Sequence, residues 1–269
     1  MITSTSNPRI KAIRKLADAK ERNATHTFLA EGLRVVGQAV DSNANIQDLL
    51  YCDELLISEY GRHLVEILKG NTSVKTIEVS KEVFESLARK DKPQGIAAVI
   101  SQKWGDLASL SEIDTGIWIA LEAVQNPGNL GTALRTCDAV GAKGLILLGY
   151  STDPYDPAAI KASMGAIFTV PVFRADLPLL KLFLEQNPAI TTIGTSDKAE
   201  EDCFEFVYPN PILLLMGSER EGLSEPYQAH CQTMIRIPME GDLDSLNLSV
   251  ATGVMLYQIY SQHRKKVRL

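Results

Sequence analysis

Two hydrophobic patterns divide the chain. Before about residue 100, short apolar segments alternate with amphipathic ones, which predicts a small domain of alternating strands and helices. After residue 116, nearly continuous apolar runs alternate with helical segments. Such runs are typical of parallel strands that are covered on both faces. We therefore predict a small α/β domain over residues 1–105, a linker over 106–115 and a second α/β domain with a mostly parallel sheet over 116–269.

The pattern also predicts the individual elements of the second domain. Its strands are expected at 117–124, 145–148, 190–193, 212–216 and 234–237. Its helices are expected at 130–140, 158–168, 177–185 and 224–230, with a final helix from about Ser245. Ligands of parallel sheets bind beyond the carboxyl ends of the strands. The loops after residues 124, 193, 216 and 237 are therefore the candidate binding loops.

Charge is distributed unevenly along the chain. The net charge is −6, but residues 1–40 carry seven basic side chains against three acidic ones, and residues 264–268 carry four basic ones. Two basic ends on an acidic body could be two phosphate-contacting patches. The alternative is terminal charge that only improves solubility. The candidate phosphate-binding residues in the first domain are Arg9, Lys11, Arg14, Lys15 and Arg34.

Cysteine and hydropathy patterns suggest a compartment. The four cysteines form no C-x-x-C pair and show no zinc-ligand spacing, so we expect free thiols and no metal site. The N-terminus lacks the apolar core of a signal peptide, and no run approaches the roughly 20 apolar residues that span a bilayer. We expect a cytoplasmic protein without a membrane segment.

Three of the candidate loops carry polar and glycine-rich motifs. The first is N-P-G-N-L-G over 126–131, with Asn129 at the expected cap of a helix and Arg135 further along it. The second is G-S-E-R-E-G-L over 217–223. The third runs from I-P-M at 237–239 to S-L-N-L-S-V-A at 245–251, where Ser245 or Asp244 could cap the last helix. Each loop alone also fits ordinary turn and capping chemistry.

Together, in this order and spacing, the three loops resemble the motifs of the SPOUT class of methyltransferases, in its ribose 2′-O-methylating SpoU branch. The segment K-A-S-M-G-A at 161–166 is similar to the helix between that family's first two motifs. The segments at 7–11 and 28–32 resemble the family's N-terminal substrate-binding domain, which is similar to small ribosomal RNA-binding proteins. Arg220 departs from the family pattern, in which glycine is common at this place.

The resemblance implies a Rossmann-like sheet with a trefoil knot, S-adenosylmethionine as methyl donor, RNA as substrate, and a homodimer packed through the final helix. The implied catalytic residues are Arg135, Asn129, Glu219, Ser245 and Asn247. The implied donor-binding residues are Gly217, Ile237, Leu246, Thr195 and Met216. The family role of Arg135 is that of the base, yet a guanidinium normally stays charged. A charged Arg135 could instead hold a phosphate and stabilise an alkoxide.

Other functions stay open at this point. The extra N-terminal domain favours ribosomal RNA as substrate, and the alternative is transfer RNA. A non-catalytic RNA-binding protein of the same fold would need no donor. A nicotinamide-dependent dehydrogenase is disfavoured because the first loop lacks the G-x-G-x-x-G fingerprint.

Overall fold

A computed structural model of the chain describes residues 1–88, 92–218, 220–241 and 245–266, with side chains through residue 264. The chain forms two compact units. The first consists of Met1–Lys103 and Asp153–Thr169, and the second of Trp104–Thr152 and Val170–Leu269. Each unit has its own sheet.

The elements follow in chain order. The strands are β1 Thr27–Glu31, β2 Ile46–Tyr51, β3 Lys75–Glu78, β4 Ile96–Ser101, β5 Ile117–Glu122, β6 Gly144–Leu148, β7 Val172–Ala175, β8 Thr191–Thr195, β9 Glu201–Asp202, β10 Ile212–Met216 and β11 Thr233–Arg236. The α-helices are α1 Pro8–Lys15, α2 Ala19–Thr25, α3 Leu33–Asp41, α4 Glu59–Gly70, α5 Lys81–Leu87, α6 Pro127–Val140, α7 Pro157–Ser163, α8 Leu177–Gln186, α9 Glu225–Gln228 and α10 Leu248–Lys266. Short 3₁₀ turns cover Leu107–Ser109 and Ala166–Phe168.

The first unit is built on a four-stranded sheet in the order β1-β4-β2-β3. Strand β4 pairs antiparallel with β1 and β2, whereas β2 and β3 are parallel. Helices α1 and α5 bury Ile10, Ile13, Val83 and Phe84 against one face of this sheet, and α3 and α4 also pack on the strands. The alternation of helices and strands predicted from the sequence is therefore confirmed for this unit.

A segment from the middle of the chain completes the first unit. The buried guanidinium of Arg22 donates to Asp153 Oδ2 at 2.8 Å and to the carbonyl oxygens of Leu16 and Ala17. A buried charge is stable only when its hydrogen bonds are satisfied, so these contacts hold the segment in place. The contiguous boundaries predicted from the sequence place 153–169 in the second domain, and those boundaries stay a prediction.

The single helix predicted at 158–168 is broken. Helix α7 ends at Ser163, and Met164 and Gly165 then have positive φ angles of 53° and 102°. A Cβ atom at Gly165 would lie 2.7 Å from Gln38 Cβ, so the chain turns there in a space that only glycine fits. The glycine is visible in the sequence, but the apolar periodicity continues across it, which explains the wrong prediction.

The second unit is built on a seven-stranded sheet in the order β7-β6-β5-β10-β8-β11-β9, and its recorded pairings are parallel. One face carries a core of α8 with Trp118, Ile146, Phe173 and Leu213. Helices α6 and α10 pack on each other, and they contact β6 and β5. The predicted parallel α/β sheet is confirmed, whereas the short edge strands β7 and β9 were not predicted.

Candidate active site

The carboxyl ends of four neighbouring strands lie side by side in the second unit. Met216 of β10 pairs with Leu121 of β5. On the other side of β10, Leu215 pairs with Gly194 of β8, so the next residue, Thr195, lies beside Met216. Thr195 in turn pairs with Ile235 of β11. At about 4.8 Å between strands, this row spans about 14 Å. The three motif-bearing loops and the loop after β8 therefore leave the sheet along one short edge.

The first loop is held by a capped helix start. Asn126 Oδ1 accepts from the backbone N–H of Gly128 at 2.7 Å and of Asn129 at 3.2 Å, and helix α6 begins at Pro127. The prediction that Asn129 caps this helix is wrong, because proline at the first helical position fixes the start three residues earlier than expected. Asn129 instead lies in the first turn and is half-buried.

The third loop contacts the first through two asparagines. Asn247 Nδ2 donates to Asn129 Oδ1 at 3.2 Å, across 118 residues of sequence. The Oδ1 atom of Asn247 accepts from the N–H of Ser249 at 3.0 Å and from its hydroxyl at 2.7 Å, just where α10 begins. Asn247 thus takes the capping position that the sequence analysis gave to Ser245 or Asp244. Ser245 is exposed, and Asp244 lies outside the described residues.

The second loop folds back on itself at the end of β10. Ser218 and Gly222 exchange two backbone hydrogen bonds of 3.1 Å. A Cβ atom on the buried Gly217 would lie 1.8 Å from the carbonyl carbon of Gly222, so glycine is required at this position. The exposed Arg220 lies in this loop, and the predicted catalytic residue Glu219 lies outside the described residues.

Glu122 was missed by the sequence analysis. Its carboxylate, at the end of β5, accepts from the Ser224 N–H at 2.8 Å and from the Ser224 hydroxyl at 2.6 Å. Burial, and secondarily the charge of Glu122, raise the pKa of the nearby Tyr227 phenol. Glu122 therefore anchors the second loop to the strand that leads into the first. The available signal was that Glu122 is the only charged residue in the apolar run 117–124.

The final helix is also connected to the end of β10. The buried hydroxyl of Thr252 donates to the carbonyl oxygen of Leu248 at 2.7 Å and lies 3.3 Å from Met216 Sδ. Since Asn247 contacts the first loop and Thr252 contacts the end of β10, the start of α10 holds the motif segments together.

Arg135 lies on the exposed side of α6, two turns beyond the first loop. It follows Gly128 by seven residues, so both positions share a helix face, and arginine side chains lean back toward the helix start. None of the ion pairs between described residues involves Arg135. A guanidinium carries five N–H donors in a planar arrangement that suits a phosphate group.

Four of the five predicted donor-binding residues lie at or just after the strand ends, and Leu246 lies just before α10. Met216 and Gly217 are buried, whereas Thr195, Ile237 and Leu246 are half-buried. Among the described residues, no hydrogen bond is recorded for the backbone groups of Ile237 or Leu246. Partly covered N–H and C=O groups beside apolar side chains fit the edge of a flat heterocycle such as adenine. The residues present are therefore compatible with an adenosine-containing donor.

The five candidate RNA-binding residues of the first unit fall into two groups. Arg9 forms an ion pair with Asp48, and Arg14 donates to the hydroxyl of Ser86 at 2.8 Å. The other three candidates are exposed, and they are Lys11, Lys15 and Arg34. Their assignment to RNA binding stays a prediction, in which the exposed residues are the stronger candidates.

In the described ranges of the chain, no helix combines the length and the apolar composition needed to cross a bilayer. In the same part of the chain, no group of three or more His, Cys, Asp or Glu side chains is placed to hold a metal ion.

Two family models match the chain. The SpoU rRNA Methylase family matches residues 116–257, and an MRM3-like substrate binding domain matches residues 7–98. The chain therefore belongs to the SpoU rRNA methylase family. This confirms the family that the three loop motifs predicted, and the separate match over 7–98 agrees with the resemblance noted in the first domain.

Similar proteins have been characterised by sequence and by structure. The 23S rRNA (uridine(2479)-2′-O)-methyltransferase of Streptomyces viridochromogenes is 29% identical over 92% of this chain and 87% of its own length. The 23S rRNA (guanosine(2553)-2′-O)-methyltransferase of Bacillus subtilis is 28% identical over 96% of this chain and 98% of its own. An AdoMet-bound rRNA methyltransferase from Sinorhizobium meliloti has a TM-score of 0.88 at 33% identity, with 97% of both chains covered.

Proposed function

We propose that this protein transfers a methyl group from S-adenosylmethionine to a ribose 2′-hydroxyl of ribosomal RNA. The observation that carries the proposal is the hydrogen bond between Asn247 and Asn129, which joins the third motif loop to the first beside the ends of β5 and β10. Relatives over nearly the full chain are named as 23S rRNA 2′-O-methyltransferases, and a similar structure holds AdoMet.

The strand ends would hold the donor. The backbone of Gly217, Ile237 and Leu246 would meet the adenine, and Thr195 and Met216 would complete the wall of the pocket. S-adenosylmethionine would supply an electrophilic methyl group on a sulfonium: the S–CH3 bond breaks as the O–CH3 bond forms, S-adenosylhomocysteine leaves, and the hydroxyl proton is released. The tight turn at Gly217 fixes this wall before the donor arrives, so that binding energy is not spent on ordering the loop.

Arg135 would act on the RNA. Its guanidinium would hold the phosphate next to the target ribose and stabilise the negative charge that develops on the attacking oxygen. Asn129 and Asn247 would position the first loop, with Glu219 and Ser245 completing the catalytic set. Holding the hydroxyl oxygen in line with the methyl group would supply a large part of the rate acceleration.

The first unit would select the RNA. Its match to a substrate-binding domain favours ribosomal over transfer RNA. Lys11, Lys15 and Arg34 would contact phosphates through exposed cationic side chains.

A homodimer is part of the same proposal. Val250 and Tyr257, two turns apart on α10, are each 51% exposed, and apolar side chains on one helix face suit burial against a second copy. The trefoil knot of the family is expected in the second unit. The four free cysteines fit the reducing conditions of the cytoplasm.

Methyl transfer tests the proposal. The protein is incubated with labelled S-adenosylmethionine and with rRNA from cells that lack it, and the RNA is digested to nucleosides. We expect label in one 2′-O-methylnucleoside. Arg135→Ala should reduce turnover by about 100-fold or more, a loss typical for removing a group that stabilises a charged transition state. Label on a base, or RNA binding without any donor binding, would favour the alternatives.

A further inference from the structure

Tyr150 is an exposed aromatic residue beside the first motif loop. Its side chain is 90% exposed, whereas the exposed tyrosines of helices α4 and α10, Tyr60 and Tyr257, are 49% and 51% exposed. It follows β6, which pairs with β5, so it lies at the same edge of the sheet as the motif loops. An aromatic ring exposed at this edge is placed to stack on a ligand that binds there.

The backbone around Tyr150 is fixed to the first loop. The Nε2 atom of Gln125, the residue just before the first motif loop, donates to the Tyr150 carbonyl oxygen at 3.1 Å and to that of Ala123 at 2.9 Å. The Thr152 N–H donates to the carbonyl oxygen of Val124 at 2.7 Å. Hydrogen bonds therefore hold the short turn that carries the ring. Because a tyrosine side chain has only two rotatable bonds, little conformational entropy is lost when the ring binds a ligand.

The position of this turn suggests its ligand. Strand β5 has β6 on one side and β10 on the other, so the first loop lies between Tyr150 and the strand ends that would hold the donor. If the target ribose of an RNA strand lies at the first loop, a neighbouring base of that strand would lie next to Tyr150. Aromatic side chains recognise such unstacked bases by stacking, with tolerance for base identity.

We propose that Tyr150 stacks on a base adjacent to the methylated nucleotide and so positions the RNA for the reaction. This inference rests on the proposed function. Tyr150 is a positioning residue here, because it would touch the RNA but not the reacting atoms. Its loss should weaken RNA binding while leaving the donor pocket unchanged.

The test compares Tyr150→Ala, Tyr150→Phe and the control Tyr60→Ala, which removes a half-exposed tyrosine from α4. For each variant, the KM for unmodified rRNA, kcat at saturating RNA and the Kd for S-adenosylmethionine are measured. Loss of one stacked base should raise the KM for RNA by about 5- to 150-fold. The donor Kd should stay at the wild-type value, and both Tyr150→Phe and the control should keep the wild-type KM.

Two results would overturn the inference about Tyr150 without affecting the proposed function. One is a Tyr150→Ala protein with the wild-type KM for RNA, in a preparation whose wild type is active. The other is an equal loss in Tyr150→Phe, which would assign the effect to the hydroxyl group rather than to the ring. A wild-type protein that neither binds donor nor methylates RNA would instead overturn the proposed function, and this inference with it.

Discussion

Glu122→Ala should loosen the second motif loop. The carboxylate accepts two hydrogen bonds from Ser224, of 2.8 and 2.6 Å. A hydrogen bond to a charged group contributes about 1.5–3 kcal/mol, and two bonds from one residue to a half-buried acceptor are not additive. We therefore expect Glu122→Ala to weaken the attachment of the loop to β5 by about 2–4 kcal/mol. Glu122→Gln keeps one acceptor oxygen, so its loss of interaction free energy should be about half as large.

Hydrogen exchange and calorimetry measure this effect. In Glu122→Ala, the amides of Ser218 and of residues 220–224 should exchange faster, and the Kd for S-adenosylmethionine should rise by about tenfold or more, since 1.4 kcal/mol corresponds to a factor of ten. The matched control is Glu185→Ala, an exposed acid on α8 of the same unit. If Glu122→Ala matched this control in both exchange and donor affinity, Glu122 would not anchor the loop.

Three other predictions concern packing. Gly217→Ala should abolish donor binding, because its Cβ would lie 1.8 Å from the Gly222 backbone, whereas Gly70→Ala, with no atom within 4 Å of the new Cβ, should bind donor normally in calorimetry. Burial raises the pKa of Cys137 and of Cys231 to about 12, so iodoacetamide at pH 8 should leave both thiols unmodified until urea unfolds the protein, as mass spectrometry would show. Because unfolded thiols ionise near pH 8.5, stability should fall as the pH rises above that value. Alkylation of the folded protein, or donor binding by Gly217→Ala, would contradict the packing.

The parallel sheet and its binding edge could be predicted because they depend on local signals. Apolar runs mark the buried strands, and glycines mark the loops that follow them. The cap at Asn126 was missed although Pro127 marks the helix start, because the apolar periodicity begins only at Leu130 and favours the adjacent Asn129 as the cap. Strand β9 has only two residues, both acidic, and the short apolar run of β7 is interrupted by the exposed Arg174.

Long-range contacts could not be predicted in the same way. The bond between Glu122 and Ser224 spans 102 residues, and that between Asn247 and Asn129 spans 118. The hydrophobic periodicity around each of these residues does not indicate which distant residue it contacts. The order of strands decides which loops meet, and β10 lies between β5 and β8 although it follows both in sequence. The prediction that these loops lie together came from the family resemblance and not from the pattern of apolar residues.

A structure of the protein with S-adenosylhomocysteine bound tests the proposed active site most directly. We expect the adenine at the carboxyl ends of β10, β8 and β11, against the backbone of Gly217, Ile237 and Leu246, with Arg135 facing the sulfur across open space for a ribose. A ligand bound elsewhere, or an Arg135 directed away from it, would rule out this active site.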